Sequence, residues 1–166
     1  MKEKLLFSEK QKFNQLWLWI ILIIANIIGA ITFYRELVQS TQENQKLVLF
    51  YFLLLVLVSI LVYSITLTTK ITEKEIRIQF FPFHLKERIY LFSDLDKAEV
   101  VQYNPLLDYG GWGVRYGIKG KAFNIRGNKG LKITFKSNKK RLIGTQKPEE
   151  LKKIIDSIFS QNDENN

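Results

Sequence analysis

The chain runs on three hydrophobic rhythms in succession. Residues 16–34, LWLWIILIIANIIGAITFY, and 47–67, LVLFYFLLLVLVSILVYSITL, are apolar runs without a charged residue or a proline. At about 1.5 Å of rise per residue the second run makes a helix roughly 30 Å long, the thickness of a bilayer hydrocarbon core. Both runs are predicted to be transmembrane helices, joined by a short polar external loop over 35–46. The first is longer than a signal-peptide core and no small-x-small cleavage site follows it, so it is expected to be retained. Trp17, Trp19, Phe33 and Tyr34 on the first run, and Tyr51 and Tyr63 on the second, stand where amphipathic rings settle at membrane interfaces. Asn26 is the one amide within these runs. In an antiparallel pairing it falls near the depth of Ser59, beside the small Ala25 and Gly29, and is predicted to join the two helices.

After the second run the period becomes two. Ile76, Ile78 and Phe80 alternate with Glu75, Arg77 and Gln79, as a half-buried strand requires. Further strands are expected at 88–92, 98–103, 113–118, 122–125, 131–136 and 141–144, with Pro82, Ser93, Asp94, Asp96, Asn104 and Pro105 as breaks. Gly127, Asn128 and Gly130 predict a tight hairpin between the 122–125 and 131–136 strands. A third rhythm then begins. Thr145, Pro148, Glu149 and Glu150 mark a helix start, and Leu151, Ile154, Ile155, Ile158 and Phe159 form one apolar stripe. The fold class expected is a membrane α-helical hairpin plus a mainly-β domain over 68–160. That domain is an antiparallel barrel of about seven strands capped by a C-terminal amphipathic helix. Residues 1–15 are a basic cytoplasmic N-terminus in this reading, and 161–166 a disordered tail.

Charge sets orientation. Lys2, Lys4, Lys10 and Lys12 precede the first run, Lys70, Lys74 and Arg77 follow the second, and the 35–46 segment holds only Arg35 and Lys46 as basic residues. By the positive-inside rule the protein is a multi-pass cell (inner) membrane protein with both termini cytoplasmic. The formal net charge is +9, and from Lys70 onward 19 lysines and arginines face 12 aspartates and glutamates. Anionic lipid is the nearest polyanion for such a domain, and no nucleic-acid partner is expected. Zero cysteines exclude disulfides and thiol chemistry, and a single histidine, His84, excludes multi-histidine metal sites. His84 follows Pro82 and Phe83 and is expected in an exposed turn.

The segments 108–115, DYGGWGVR, and 142–151, LIGTQKPEEL, resemble those of bacterial PH-like (pleckstrin-homology-type) membrane proteins that carry an N-terminal two-helix hairpin. The resemblance covers most of the chain. It implies a PH-like domain held beside the membrane and supplies no catalytic residues.

Candidate ligand contacts are Asp108, Tyr109, Gly110, Gly111, Trp112, Gly113 and Arg115, the least generic stretch outside the membrane. The alternative for it is a tight turn in which Trp112 packs over the barrel mouth and Asp108 bonds backbone amides. A second candidate set, Arg126, Lys129, Lys139, Lys140 and Arg141, together with Arg115, would form a headgroup-facing patch if hairpin tips gather it at one rim; otherwise it is a solvated surface. No nucleophile with a base and no metal-ligand spacing is present, and the paired Asp94 and Asp96 sit in a turn-rich stretch where capping explains them better than acid-base work, so catalytic residues, metal and cofactors are all expected to be none. The function implied is a non-enzymatic binding module that takes protein segments or anionic lipid headgroups. The alternative is a structural or regulatory subunit of a membrane complex. Partners are then membrane lipid, another membrane protein, or a second copy of the chain.

Overall fold

The computed structural model describes residues 4–39, 42–117 and 119–164, with the side chains of Gln42 and 161–164 excepted. Expectations for 1–3, 40–41, Ile118 and 165–166 lie outside them. The chain divides into two units, Phe13–Ile65 and the remainder, Met1–Lys12 with Thr66–Asn166.

The first unit is a pair of helices, α1 (Leu16–Gln39) and α2 (Gln42–Ser64), each long and apolar enough to cross a membrane. The register is antiparallel, because Trp19 meets Tyr63 edge-on, Asn26 meets Ser59, and Phe33 stacks on Phe52. Asn26 Nδ2 donates to Ser59 Oγ at 2.9 Å and to Leu22 O at 2.7 Å, the bridge expected from depth alone. The helices extend beyond the apolar runs at their shared end, so residues 35–46 are not a loop of that length. Glu36, Leu37, Gln45 and Lys46 are good helix formers, and Gln45 Nε2 reaches Glu36 O and Leu37 O across the pair at 3.3 Å each. At its other end α2 stops at Ser64, three residues short of the expected Leu67. Thr66, Thr68 and Thr69 favour extended backbone, and Leu67 is fully buried in the sheet.

The second unit begins with a strand that hydrophobic patterning misses, β1 (Leu5–Lys12). Its inward positions are Phe7, Glu9 and Gln11, so two of three buried side chains are polar and no apolar alternation marks it. The 1–15 segment is therefore not merely a basic flank. β1 pairs antiparallel with β2 (Thr66–Thr72), β2 with β3 (Glu75–Phe81), and β3 with β4 (Arg88–Leu91). Both chain connections to the helix pair leave one end of this sheet, where Lys12 lies opposite Thr66 and Thr66 opposite Phe81.

After a 3-10 turn at Phe92–Asp94 the chain builds a second sheet from β5 (Leu95–Gln102), β6 (Gly113–Gly117), β7 (Gly120–Asn124), β8 (Lys129–Phe135) and β9 (Lys140–Gly144). Its order is β5-β8-β9-β7-β6, with β7 and β9 parallel. The expected closed antiparallel barrel is thus replaced by two open sheets of four and five strands. The expected β7–β8 hairpin is also absent: β9 inserts between these strands, and 125–128 is a crossover rather than a turn. Period-two patterning says that a segment is extended, not which neighbour accepts its hydrogen bonds.

The inner faces meet in a core of Phe7, Leu67, Ile71, Ile78, Phe80, Phe123, Ile133 and Ile143. The last helix, α4 (Pro148–Glu164), packs on β1, β5 and β8 through the buried Leu151, Ile155 and Ile158. It continues four residues past Ser160, into the segment expected to be disordered. Glu9 ties the sheets together: Thr145 Oγ1 donates to its Oε2 and Gln146 N to its Oε1, both at 2.7 Å, while Gln11 Nε2 donates to Gly144 O at 2.7 Å.

Candidate functional site: a lysine-lined cleft on the second sheet

The cleft depends on a five-residue helix, α3 (Pro105–Tyr109), which begins at the Asn104–Pro105 break between expected strands. Asn104 caps it, its side-chain oxygen accepting from the N–H groups of Leu106 and Leu107 at 3.1 Å each, and Pro105 supplies a preset first-turn φ. Gly110 ends it in the left-handed region at φ 71°, where its N–H donates to Leu106 O at 2.9 Å. The helix lies close against β6. A Cβ on Gly117 would stand 2.2 Å from the Asp108 carbonyl oxygen, so this approach requires glycine.

Alternation along β7 and β9 places Phe123 and Ile143 in the main core and Ala122 and Leu142 on the opposite face of the sheet. There Tyr109 of α3 meets Tyr103 edge-on, with ring centroids 5.8 Å apart, and both pack on Ala122 and Leu142 as a second small core. Asn124 secures the arrangement from complete burial. It donates to the Tyr103 hydroxyl at 3.0 Å and accepts from Gly113 N at 2.9 Å.

Beside this core lies a cleft of about 420 Å³, in which Tyr103, Tyr109 and Leu142 are joined by Asp108, Lys119, Lys132 and Lys140. Lys119 bonds the Asp108 carboxylate at 2.9 Å, and Asn104 N donates to the same carboxylate at 3.0 Å. The Lys119 contact first, and then the backbone bond, hold the Asp108 carboxyl below its usual range. Lys132 lies 3.2 Å from Glu99, which Lys97 also binds at 2.6 Å, and these bonds, that from Lys97 foremost, lower the Glu99 carboxyl. Lys140 differs: among the described residues its ammonium has no carboxylate partner. Burial pushes the Tyr103 and Tyr109 phenols up, so both stay protonated near neutral pH. The cleft can therefore hold one anionic group at Lys140 against an aromatic and aliphatic floor.

The sequence candidates divide between this cleft and its scaffold. Asp108 and Tyr109 line the cleft, whereas Gly110, Gly111 and Gly113 form the turn after α3, with φ values of 71°, 118° and 116°. Trp112 closes no barrel mouth. Its Nε1 donates to Gly127 O at 3.1 Å, and its carbonyl accepts from Arg115 Nε at 2.8 Å. The basic set does not converge on one rim. Lys140 enters the cleft, and Arg141, its neighbour, faces the other side of β9 beside Lys121. Lys129 lies 3.6 Å from Glu149, Lys139 occupies the β8–β9 turn, and the Arg126 carbonyl accepts from Gln146 Nε2. Lys119, Lys132 and Tyr103 carry no sequence signal for a ligand contact; the β8–β9 register, which sets Lys132 opposite Leu142, brings Lys132 to the cleft, and the β6–β7 turn and the end of β5 supply Lys119 and Tyr103. Among the described residues no three histidine or acidic side chains are grouped to hold a metal ion.

The sequence matches no protein-family model and no curated protein.

Proposed function

We propose that the protein is a non-enzymatic, two-span membrane protein that presents its two-sheet domain at the inner face of the membrane as a binding module. The lysine excess before α1 and after α2 supports this orientation. Only Phe13–Gln15 and Ile65 separate the paired strands β1 and β2 from the apolar helices, so the module stays near the bilayer surface. The observation that carries the binding reading is the cleft itself. Lys119 is paired with Asp108, Lys132 shares Glu99 with Lys97, and Lys140 is the cleft ammonium that has no carboxylate partner among the described residues, over an apolar floor. That chemistry suits a single acidic side chain beside an apolar one, as in a short segment of a neighbouring protein. Leu106 and Leu107, 63% and 81% exposed on α3, extend the apolar contact outside the cleft.

In-cell photocrosslinking tests this. A benzophenone amino acid at Leu107 should give a discrete adduct that Lys140→Glu abolishes while the protein still accumulates in the membrane. Absence of any adduct, or an adduct indifferent to Lys140→Glu, would remove the cleft as a docking site. A second reading, a subunit docked through its helices, is favoured by the groove of about 520 Å³ on the helix pair, which runs from the Trp19–Tyr63 contact past Asn26 and Ser59. A partner transmembrane helix carrying a hydrogen-bond donor would fit it.

A further inference from the structure

A second cationic group sits where the first sheet's edge strand meets the second sheet's inner face. Arg88 projects from β4 with its guanidinium 5.9 Å from the Phe123 ring centre, and Lys121 Nζ lies 5.1 Å from the same ring. Lys121 is only 7% exposed, and its ammonium donates to the Tyr116 hydroxyl at 2.7 Å. Arg141 is the register partner of Lys121 on the adjacent parallel strand, so the two project from one face side by side. Tyr90, also on β4, has a buried hydroxyl; burial pushes its phenol up, and the Arg141 and Arg88 charges pull against that rise.

Among the described residues no acid balances these charges. Among the described residues Arg88, Lys121 and Arg141 take part in no ion pair, and Glu87, next to Arg88 in sequence, is held by Lys70 at 2.8 Å. Elsewhere on this unit lysines find carboxylates readily, as Lys119, Lys132 and Lys129 do. Like charges gathered without a counter-charge repel one another, and burying Lys121 adds a desolvation cost. His84 completes the cluster, its ring edge-on to Phe123 with centroids 5.5 Å apart and its Nδ1 buried without a hydrogen-bond partner. It is thus half-buried among cations rather than in an exposed turn. Burial first, and then the Arg88 and Lys121 charges, lower its affinity for a proton. The bond from Lys121 and the surrounding charges also pull the exposed Tyr116 phenol down.

We propose that Arg88, Lys121 and Arg141 form a binding site for a phosphate group, either free or on a lipid headgroup, distinct from the Lys140 cleft. The Arg88 guanidinium, the Arg141 guanidinium, whose Nη1 also donates to Lys140 O at 3.0 Å, and the Lys121 ammonium supply the donors, and among the described residues no acid competes for them. The site lies on the opposite face of β9 from Lys140, since Arg141 and Lys140 alternate along that strand.

His84 is the only histidine, so its ring resonances report on the site without assignment ambiguity. The full-length protein in phosphatidylcholine nanodiscs is titrated by NMR with inorganic phosphate, with sodium chloride at matched ionic strength as the control. A second sample carries phosphatidic acid in the disc. Bound phosphate neutralises Arg88 and Lys121, so the His84 midpoint should rise, by more than matched chloride causes. Arg88→Gln, at an exposed position, should weaken the effect at least several-fold, and Lys152→Gln on α4 should leave it intact. A rise with inorganic phosphate alone assigns a soluble ligand, a rise with phosphatidic acid alone assigns a headgroup, and either supports the site. No rise beyond chloride in both samples, or a rise undiminished by Arg88→Gln, overturns it.

Discussion

Replacing Glu9 by alanine tests whether the N-terminal segment belongs to the folded domain. The Glu9 carboxylate accepts from Thr145 Oγ1 and Gln146 N, both at 2.7 Å, and the side chain is 7% exposed. Alanine leaves both donors facing the space the carboxylate filled. Hydrogen bonds to a carboxylate contribute about 1.5–3 kcal/mol each, and water entering the gap recovers part of that, so the loss should be on the order of 2–4 kcal/mol. For a domain near a hundred residues this lowers the melting midpoint by on the order of 10 °C. The assay is thermal unfolding of the full-length protein in detergent, followed by Trp112 emission after Trp17→Phe and Trp19→Phe. Glu9→Gln keeps one acceptor for Gln146 N and should lose about half as much. Lys10→Ala, one residue along on the outer face, should fall within about 0.5 kcal/mol of the parent. A Glu9→Ala midpoint within about 2 °C of the Lys10→Ala value would refute the lock between β1 and the start of α4.

Gly117→Ala should destabilise the domain by on the order of 2–3 kcal/mol, because the new methyl collides with the Asp108 carbonyl and lifts α3; Gly110→Ala meets nothing within 4 Å and should cost only about 1 kcal/mol of left-handed backbone strain. Equal denaturant midpoints for the two variants would contradict the close approach of α3 to β6. Asn26→Leu removes the bridge to Ser59 and should weaken the helix pair by roughly 0.5–1.5 kcal/mol, read as easier separation of the two helices in a steric-trapping assay in bilayers. His84 makes stability depend on pH. Its folded-state value lies below the unfolded 6.5, so the unfolded chain binds the extra proton, and stability present above pH 6.5 declines as pH falls below it. His84→Phe should flatten the decline in melting midpoint between pH 7 and pH 5.5, and an unchanged slope would place the titrating group elsewhere.

Much of the architecture is visible in spacing alone because each element repeats a local pattern. Two runs of apolar residues fix two long helices, the alternation in 75–81 and 131–136 fixes β3 and β8, and the 151–159 stripe fixes α4. Asn26 and Ser59 find each other because an antiparallel pair has only one register that aligns the apolar runs. β1 escapes the same reading, since its inward Glu9 and Gln11 are made tolerable only by donors and acceptors at 144–146, more than a hundred residues away. The Asp108–Arg115 stretch announces an unusual backbone and little more. Its glycines seat α3, and whether Asp108 meets Lys119 or solvent depends on how that helix lies on β6.

By itself, then, the sequence determines where the long apolar helices, the cleanly alternating strands and the last amphipathic helix lie, and that cations exceed acids. Tertiary structure decides how those cations are distributed. Adjacent residues of β9 face opposite sides of a sheet, so Lys140 enters the cleft beside α3 while Arg141 joins Arg88 and Lys121 around Phe123. The reason is long-range pairing: β9 inserts between β7 and β8, and no local propensity encodes which strand lies next to which.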